Sequence, residues 1–363
     1  MAKNKKSVNT VPKIIQAYSE KPLRRRLAQQ SFKAFLAFYL TRYFSTPFAP
    51  FHEEMIHIAE EEERFPLVAV MAFRGAGKSS VLNLGYALWA ILGVQKKKCV
   101  LIISRTAVQA RAHFAAIKEE IEKNAMLKED LGPFKEDSGD WRGSSLVLSK
   151  ANAKIIFMTR DQSLRGIRHG PHRPDLIICD DIEDTADFAN KDESAKEQFS
   201  TRTMERFKRE VLNVGSAKLR VIVLGNLLHK RCFMTQMKEF CNEPDEGSRR
   251  IFRAYPLYDS AKQCLWPERE GEFSAHKVSY WDQEYLLQNA HGEGSILVFL
   301  QGPPDDPVEI KRLEKSCRDK LRESILSVPL QEPLIVAMAM YKIRAPLPVP
   351  PDPDYKGIAF RAI

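Results

Sequence analysis

The stretch that decides the fold reads Leu67-Val68-Ala69-Val70-Met71-Ala72-Phe73-Arg74-Gly75-Ala76-Gly77-Lys78-Ser79-Ser80, followed by VLNLGYALWAIL. Its first seven residues are apolar without alternation, which predicts a short strand covered on both faces. From Lys78 onward the apolar groups recur at helical spacing. Two glycines, a lysine and two hydroxyls lie between strand and helix. Glycine lets the backbone turn tightly enough for successive N–H groups to face one point. The start of a helix adds partial positive charge there. This is the make-up of a loop that cradles phosphates, and Arg74, Gly75, Ala76, Gly77, Lys78, Ser79 and Ser80 are the expected nucleotide-binding residues. Lys78 is expected to reach the β- and γ-phosphates of ATP, and the Ser79 hydroxyl to bind Mg²⁺. One departure is plain: Ala72 stands where the pattern GxxxxGK[ST] has its first glycine.

Further runs of strand length follow: KCVLIIS, KIIFMT, DLIICDD and LRVIVLGN, with a helix from about Val108 to Lys123 after the first of them. Apolar strands alternating with helices predict an α/β fold, a mostly parallel sheet flanked by helices. In the third run, Asp180 and Asp181 come just past Leu176-Ile177-Ile178-Cys179. An apolar strand ending in acids, about a hundred residues after a phosphate loop, is the Walker B arrangement, which sets carboxylates beside the phosphates at the carboxyl end of the sheet. The expected fold is therefore a P-loop NTPase of the ASCE type. Asp180 is expected to serve the metal. Asp181 is expected to be the base that positions the attacking water, and Glu183, two residues on, is the alternative.

Outward from this core, residues 30–44 read as a helix and 51–65 as a second, amphipathic one ending before Pro66. Beyond Trp266-Pro267, WDQEYLLQNA and VEIKRLEKSCRDKLRESIL read as helices of a small appendage, and APLPVPPDPDY as a stiff linker. The expected divisions are 1–45 (a basic arm and helix), 46–265 (the ATPase core), 266–345 (a helical or lid subdomain) and 346–363. Of the net charge of +9, residues 1–33 carry most, with nine Lys and Arg against Glu20 alone. Such an arm suits a polyanion or a merely solvated tail. The six cysteines include no CxxC pair, which suits neither a zinc ribbon nor a disulfide framework and points to a reducing cytoplasm. No run of about 18 apolar residues exists to span a membrane.

The segments taken together, from about Phe51 to Phe299, resemble the large terminase subunits of tailed bacteriophages, the DNA-packaging motors. FHEEM before LVAVMAFRGAGKSS is similar to that family's entry into its phosphate loop, including an arginine within it. SLRGIRHGPHRPDLIICDDIED resembles the segment leading into its acidic strand. VIVLGNLLHKRCF falls at its coupling motif, with Gly225 matching and Asn226 in place of threonine. CLWPERE and WDQEYLLQN resemble the segment that closes the ATPase region. The resemblance implies that Arg74 acts on the transferring phosphate and that Asn226 senses the γ-phosphate. It implies ATP hydrolysis with Mg²⁺ coupled to movement of double-stranded DNA, and a ring of identical subunits on the capsid portal. Portal protein and a small terminase subunit are the implied partners, in the cytoplasm of a bacterial host. GIAF at 357–360 resembles the opening strand of the family's nuclease domain, and the acids after residue 300 follow no apolar strand, so DNA cleavage is expected to be absent. Arg165 and Arg168 suit phosphate, DNA backbone or a neighbouring subunit. Two other readings remain: a helicase-like ATPase stimulated by nucleic acid, and an inactive prophage remnant that binds ATP without turnover.

Overall fold

The computed structural model describes residues 20–44, 46–134, 141, 144–243, 249–257 and 263–269. The helices expected at 281–290 and 308–326 and the proline-rich stretch lie outside them, so of the expected appendage only 266–269 is described. Within the described residues, seven strands make one sheet: β1 (Leu67–Ala72), β2 (Cys99–Ser104), β3 (Ser145–Leu148), β4 (Ala153–Thr159), β5 (Leu176–Asp180), β6 (Arg220–Gly225) and β7 (Arg250–Tyr255). Their order is β3-β4-β2-β5-β6-β1-β7, and every pairing is parallel except β3 with β4. The loop-bearing strand β1 and the acid-bearing strand β5 are thus separated by β6, the ASCE order. The four uninterrupted apolar runs, β1, β2, β5 and β6, are buried at every residue. Their lack of alternation reflects layers of helix on both faces.

One face carries α1 (Lys21–Gln30), α2 (Phe32–Tyr39), α3 (Pro50–Glu60), the helix after the phosphate loop, α5 (Ala107–Lys123) and α6 (Ala125–Leu131). The helix after the loop begins as a wide π-helical segment, Ser79–Gly85, and continues as α4 (Tyr86–Leu92). Every residue from Val81 to Leu92 is buried, so this helix, apolar apart from Asn83, lies between the sheet and the amino-terminal helices. The other face carries α7 (Glu193–Arg206) and α8 (Phe233–Asn242).

The helix expected over 30–44 divides. Ser31 is extended and caps α2, its hydroxyl accepting from the Ala34 amide at 3.3 Å, and α2 ends at Tyr39 before a short 3₁₀ turn. Residues 20–44 pack into the core: Phe32, Phe35 and Leu36 are fully buried, and the Trp89 indole N–H donates to the Ala28 carbonyl at 3.0 Å. Two buried arginines tie these helices down. Arg220, at the start of β6, donates to the carbonyls of Ile58 (2.6 Å) and Ala59 (2.7 Å) at the end of α3 and to the Tyr86 hydroxyl (2.7 Å). A cation there also complements the helix dipole. Arg24 of α1 meets Asp130 of α6 through two hydrogen bonds of 2.6 and 2.7 Å, and the Tyr39 hydroxyl donates to the same carboxylate at 2.9 Å.

Removing Asp130 takes away the two short bonds of the buried Arg24 guanidinium, which keeps the Glu129 carboxylate only at 3.9 Å. Asp130→Ala is expected to cost about 3–5 kcal/mol, read as a lowered urea midpoint. Replacing Arg24 and Asp130 together with apolar residues is expected to cost less than Asp130→Ala alone.

Candidate active site

The chain leaves β1 and turns at once. The Ala76 amide bonds back to the Phe73 carbonyl at 3.2 Å, and Gly75 and Gly77 take φ of 84° and 73°. Only glycine adopts that region at no steric cost. A Cβ on Gly77 would also stand 3.3 Å from His52 Nε2, so the loop lies directly against that imidazole. Lys78 already has helical dihedrals, and the first turn from Ser79 leaves amide N–H groups without helical acceptors at the mouth of the loop.

Register brings the acids to it. Asp180 of β5 is level with Leu224 of β6, which is level with Val70 of β1. The Asp180 carboxylate is buried and accepts from the Ser79 hydroxyl at 3.1 Å and from the Asn83 side-chain amide at 2.7 Å; His113 of α5 stands 3.4 Å away. Asp181 then adopts φ 44°, its amide bonding to the Leu224 carbonyl at 3.0 Å. That left-handed residue sends the second carboxylate elsewhere. Lys78 Nζ lies 3.5 Å from Asp181 and donates to Asn226 Oδ1 at 3.0 Å, while the Asn226 amide reaches Asp181 at 3.4 Å. Burial lifts the Asp181 carboxyl to about 6, against the pull of Lys78 and with the repulsion of Asp180. Arg74 is exposed on the rim, close enough for its charge to favour the ionised forms of Asp181 and Asp184.

The sequence-expected residues Lys78, Ser79, Asp180, Asp181 and Asn226 therefore meet. Glu183 does not join them. Its carboxylate accepts from the Phe233 amide at 2.8 Å, capping α8, and its other oxygen has no donor among the described residues. The chain turns between Asp181 and Glu183, so a spacing of two does not place both on one side. Burial pushes Glu183 up to about 7, against the Phe233 amide and the Ser200 hydroxyl, which favour the carboxylate. Three contributors carried no assignment in the sequence. Asn83 could have been found, standing four residues after Ser79 on the same helical face. His113 and His52 reach the site only through packing.

The residues fit Mg·ATP. Ser79 and Asp180 present hard oxygen donors within hydrogen-bond distance of each other. Mg²⁺ takes one or two such protein ligands and completes its shell with water and phosphate oxygens. Among the described residues no group of three or more His, Cys, Asp or Glu could hold a metal by itself.

Sheet order, loop and divided acids define a P-loop NTPase of the ASCE type. Among solved structures, the chain is similar to the large terminase of bacteriophage HK97, at 14% identity and a TM-score of 0.43, covering 75% of this chain and 48% of that one. It is similar to the ATPase domain of a Thermus phage large terminase, at 16% identity and 0.39, covering 61% and 88%. A third is the large terminase of a thermophilic bacteriophage in complex with ADP, at 14% and 0.39, covering 66% and 53%. The chain spans about half the length of the first and third of these. No family model and no curated protein sequence matches it.

The folded-state pKa of Glu183, about 7, lies above its ordinary 4.5. Its protonated form therefore favours the fold fully below pH 4.5, and that contribution is lost as pH rises through 7. Glu183→Gln, which stays neutral, is expected to gain stability relative to the parent as pH rises from 5 to 8, by up to about 3 kcal/mol. Urea midpoints at the two pH values measure the gap; a gap that does not change with pH would contradict this placement.

Proposed function

We propose that this chain is an ATP-driven DNA translocase of the viral genome-packaging, large-terminase type, hydrolysing ATP with Mg²⁺ to move double-stranded DNA. The division of two consecutive acids between two partners carries the reading: Asp180 faces Ser79, and Asp181 faces Lys78 and Asn226. The first pair suits a phosphate-bound metal, the second a catalytic base beside the γ-phosphate. Mg²⁺, held by Ser79 and Asp180, would neutralise charge on the β- and γ-phosphate oxygens.

In this reading Lys78 leaves Asn226 and Asp181 for the β- and γ-phosphates when ATP enters. Its departure frees Asp181 to accept a proton from water as the water oxygen bonds to the γ-phosphorus. The bond to the bridging oxygen breaks, releasing ADP and inorganic phosphate. Arg74, on the rim, is suited to the charge that spreads over the transferring phosphoryl oxygens. Asn226 exchanges its bond to Lys78 for the γ-phosphate, and β6 continues from it to α8. Glu183 is proposed to hold α8 in place rather than to act as the base.

DNA contact is supported by a groove of about 930 Å³ lined by Arg165, Arg168, Arg173, Arg206 and Arg209. Arg206 is paired with Glu210 at 3.2 Å, whereas Arg165, Arg168, Arg173 and Arg209 make no ion pair among the described residues. Free guanidinium groups along a groove suit a phosphate backbone. The ring of identical subunits, portal, small terminase subunit and host cytoplasm rest on the motif resemblance alone.

Lys78→Ala is expected to abolish Mg-dependent turnover. Asp181→Asn is expected to keep ATP binding and lose about 100-fold or more in kcat, the lower bound for a general base, with Glu183→Gln losing far less. Arg74→Ala should likewise bind ATP and lose turnover. Turnover of Lys78→Ala equal to the parent removes the assignment. Arg165→Ala and Arg168→Ala should each weaken duplex binding independently of sequence and reduce the slope of log affinity against log salt by about 1, with basal ATPase retained; unchanged slopes would move the DNA contact elsewhere.

A further inference from the structure

Peptide N–H and C=O groups point in opposite directions, so a loop that turns its N–H groups to a phosphate must turn carbonyls outward. Two outward carbonyls of this loop have side-chain donors. Ala76 C=O lies 2.9 Å from His52 Nε2, and Gly75 C=O lies 3.3 Å from an Arg269 Nη1. The imidazole tautomer follows from its other nitrogen: Nδ1 accepts from the Ala49 amide at 3.0 Å, so Nε2 carries the hydrogen and donates to Ala76. His52 is fully buried, and burial together with the Arg269 charge holds its pKa down to about 3, against the Ala76 bond, so the ring is neutral at working pH. Trp266 ties the two donors together. Its ring meets His52 edge to face at 4.5 Å, the Arg269 guanidinium lies 4.5 Å over it, and its indole N–H donates to the Pro47 carbonyl at 3.2 Å.

We propose that His52 and Arg269 are positioning residues for the phosphate-binding loop, holding the Ala76 and Gly75 carbonyls from outside so that the loop's N–H groups stay aimed at the phosphates. Trp266 locks both donors in place. The nucleotide loop is thereby sensitive to the docking of a turn 194 positions downstream of Gly75. This rests on the nucleotide-binding reading of the loop above.

The test compares His52→Leu, which fills the space without a donor, with His52→Gln, which offers an N–H to the same carbonyl. Arg269→Met keeps the stem over Trp266 and removes the charge. The full chain is titrated with Mg·ATPγS, and melting temperatures are taken without nucleotide. Leaving a buried carbonyl without its donor is expected to weaken binding about tenfold in His52→Leu, with His52→Gln restored to within about threefold of the parent and Arg269→Met showing a smaller loss. For ATP turnover the loss is expected in KM more than in kcat, since the loop holds phosphates in ground and transition states alike. Parent-like affinity in both His52→Leu and Arg269→Met overturns the proposal. Leu and Gln variants equally weak and equally lowered in melting temperature also overturn it, by showing a packing role alone. A parent protein that binds no Mg·ATPγS overturns the nucleotide reading itself. Arg269→Met, at a half-buried position near the surface, keeps the test decisive if His52→Leu does not fold.

Discussion

Val70, Leu224 and Asp180 stand side by side across three parallel strands, and the chemistry of the chain depends on that register. Parallel pairing puts the carboxyl ends of β1, β5 and β6 at one edge of the sheet, where each strand delivers one component: the phosphate loop, the acids, and Asn226. A slip of one residue in β5 would turn Asp180 to the opposite face and out of reach of Ser79, because strand side chains alternate. Burial of the three strands on both faces enforces the register, since a slipped strand would re-pack every apolar side chain along it.

The same burial gives the site its electrostatic character. Asp180 has no water-exposed surface to speak of and relies on Ser79, Asn83 and His113. Asp181 is lifted by burial and opposed by Lys78, so a ligand that draws Lys78 away changes the environment of Asp181 at the same moment. Asn226 touches both members of that pair. In the proposed function, phosphate that drew Lys78 away would free Asp181 and disturb the strand that leads to α8, and α8 in turn is capped by Glu183 from the acidic segment. Under the loop, His52 and the turn around Trp266 supply an outer support reaching back from the far end of the described chain.

Much of this was legible in the sequence because one signal, an unbroken apolar run, marks a strand buried on both faces. β1, β2, β5 and β6 carry that signal; β4 is also an apolar run, but every second residue of it is only half-buried. β7, RIFRAY, is an edge strand with charged residues at 250 and 253, and β3 is four residues long, so neither stands out. The helix after the loop is legible from its apolar periodicity, but its π-helical first half, and the close approach of Gly85 to Leu36, are not. In the site, residues next to the two motifs were readable, since loop and strand end are contiguous in sequence. Glu183, the alternative base, points to the start of α8 instead, because the left-handed turn at Asp181 breaks the alternation that a spacing of two assumes. His52 and Arg269 lie in the segments FHEEM and CLWPERE, but their contacts with the loop, like that of His113 with Asp180, are made across the fold and cannot be read from local sequence.

The central claim is that the ends of β1 and β5 form one Mg·ATP site, with Ser79 and Asp180 sharing the metal. Substituting Mn²⁺ for Mg²⁺ makes that site visible to electron–nuclear double resonance. ³¹P coupling to the bound Mn²⁺ is expected in the presence of ATP, weakened or lost in Asp180→Asn and in Ser79→Ala while the fold is kept. Mn²⁺ that binds with ATP and shows the same coupling in both variants would contradict it.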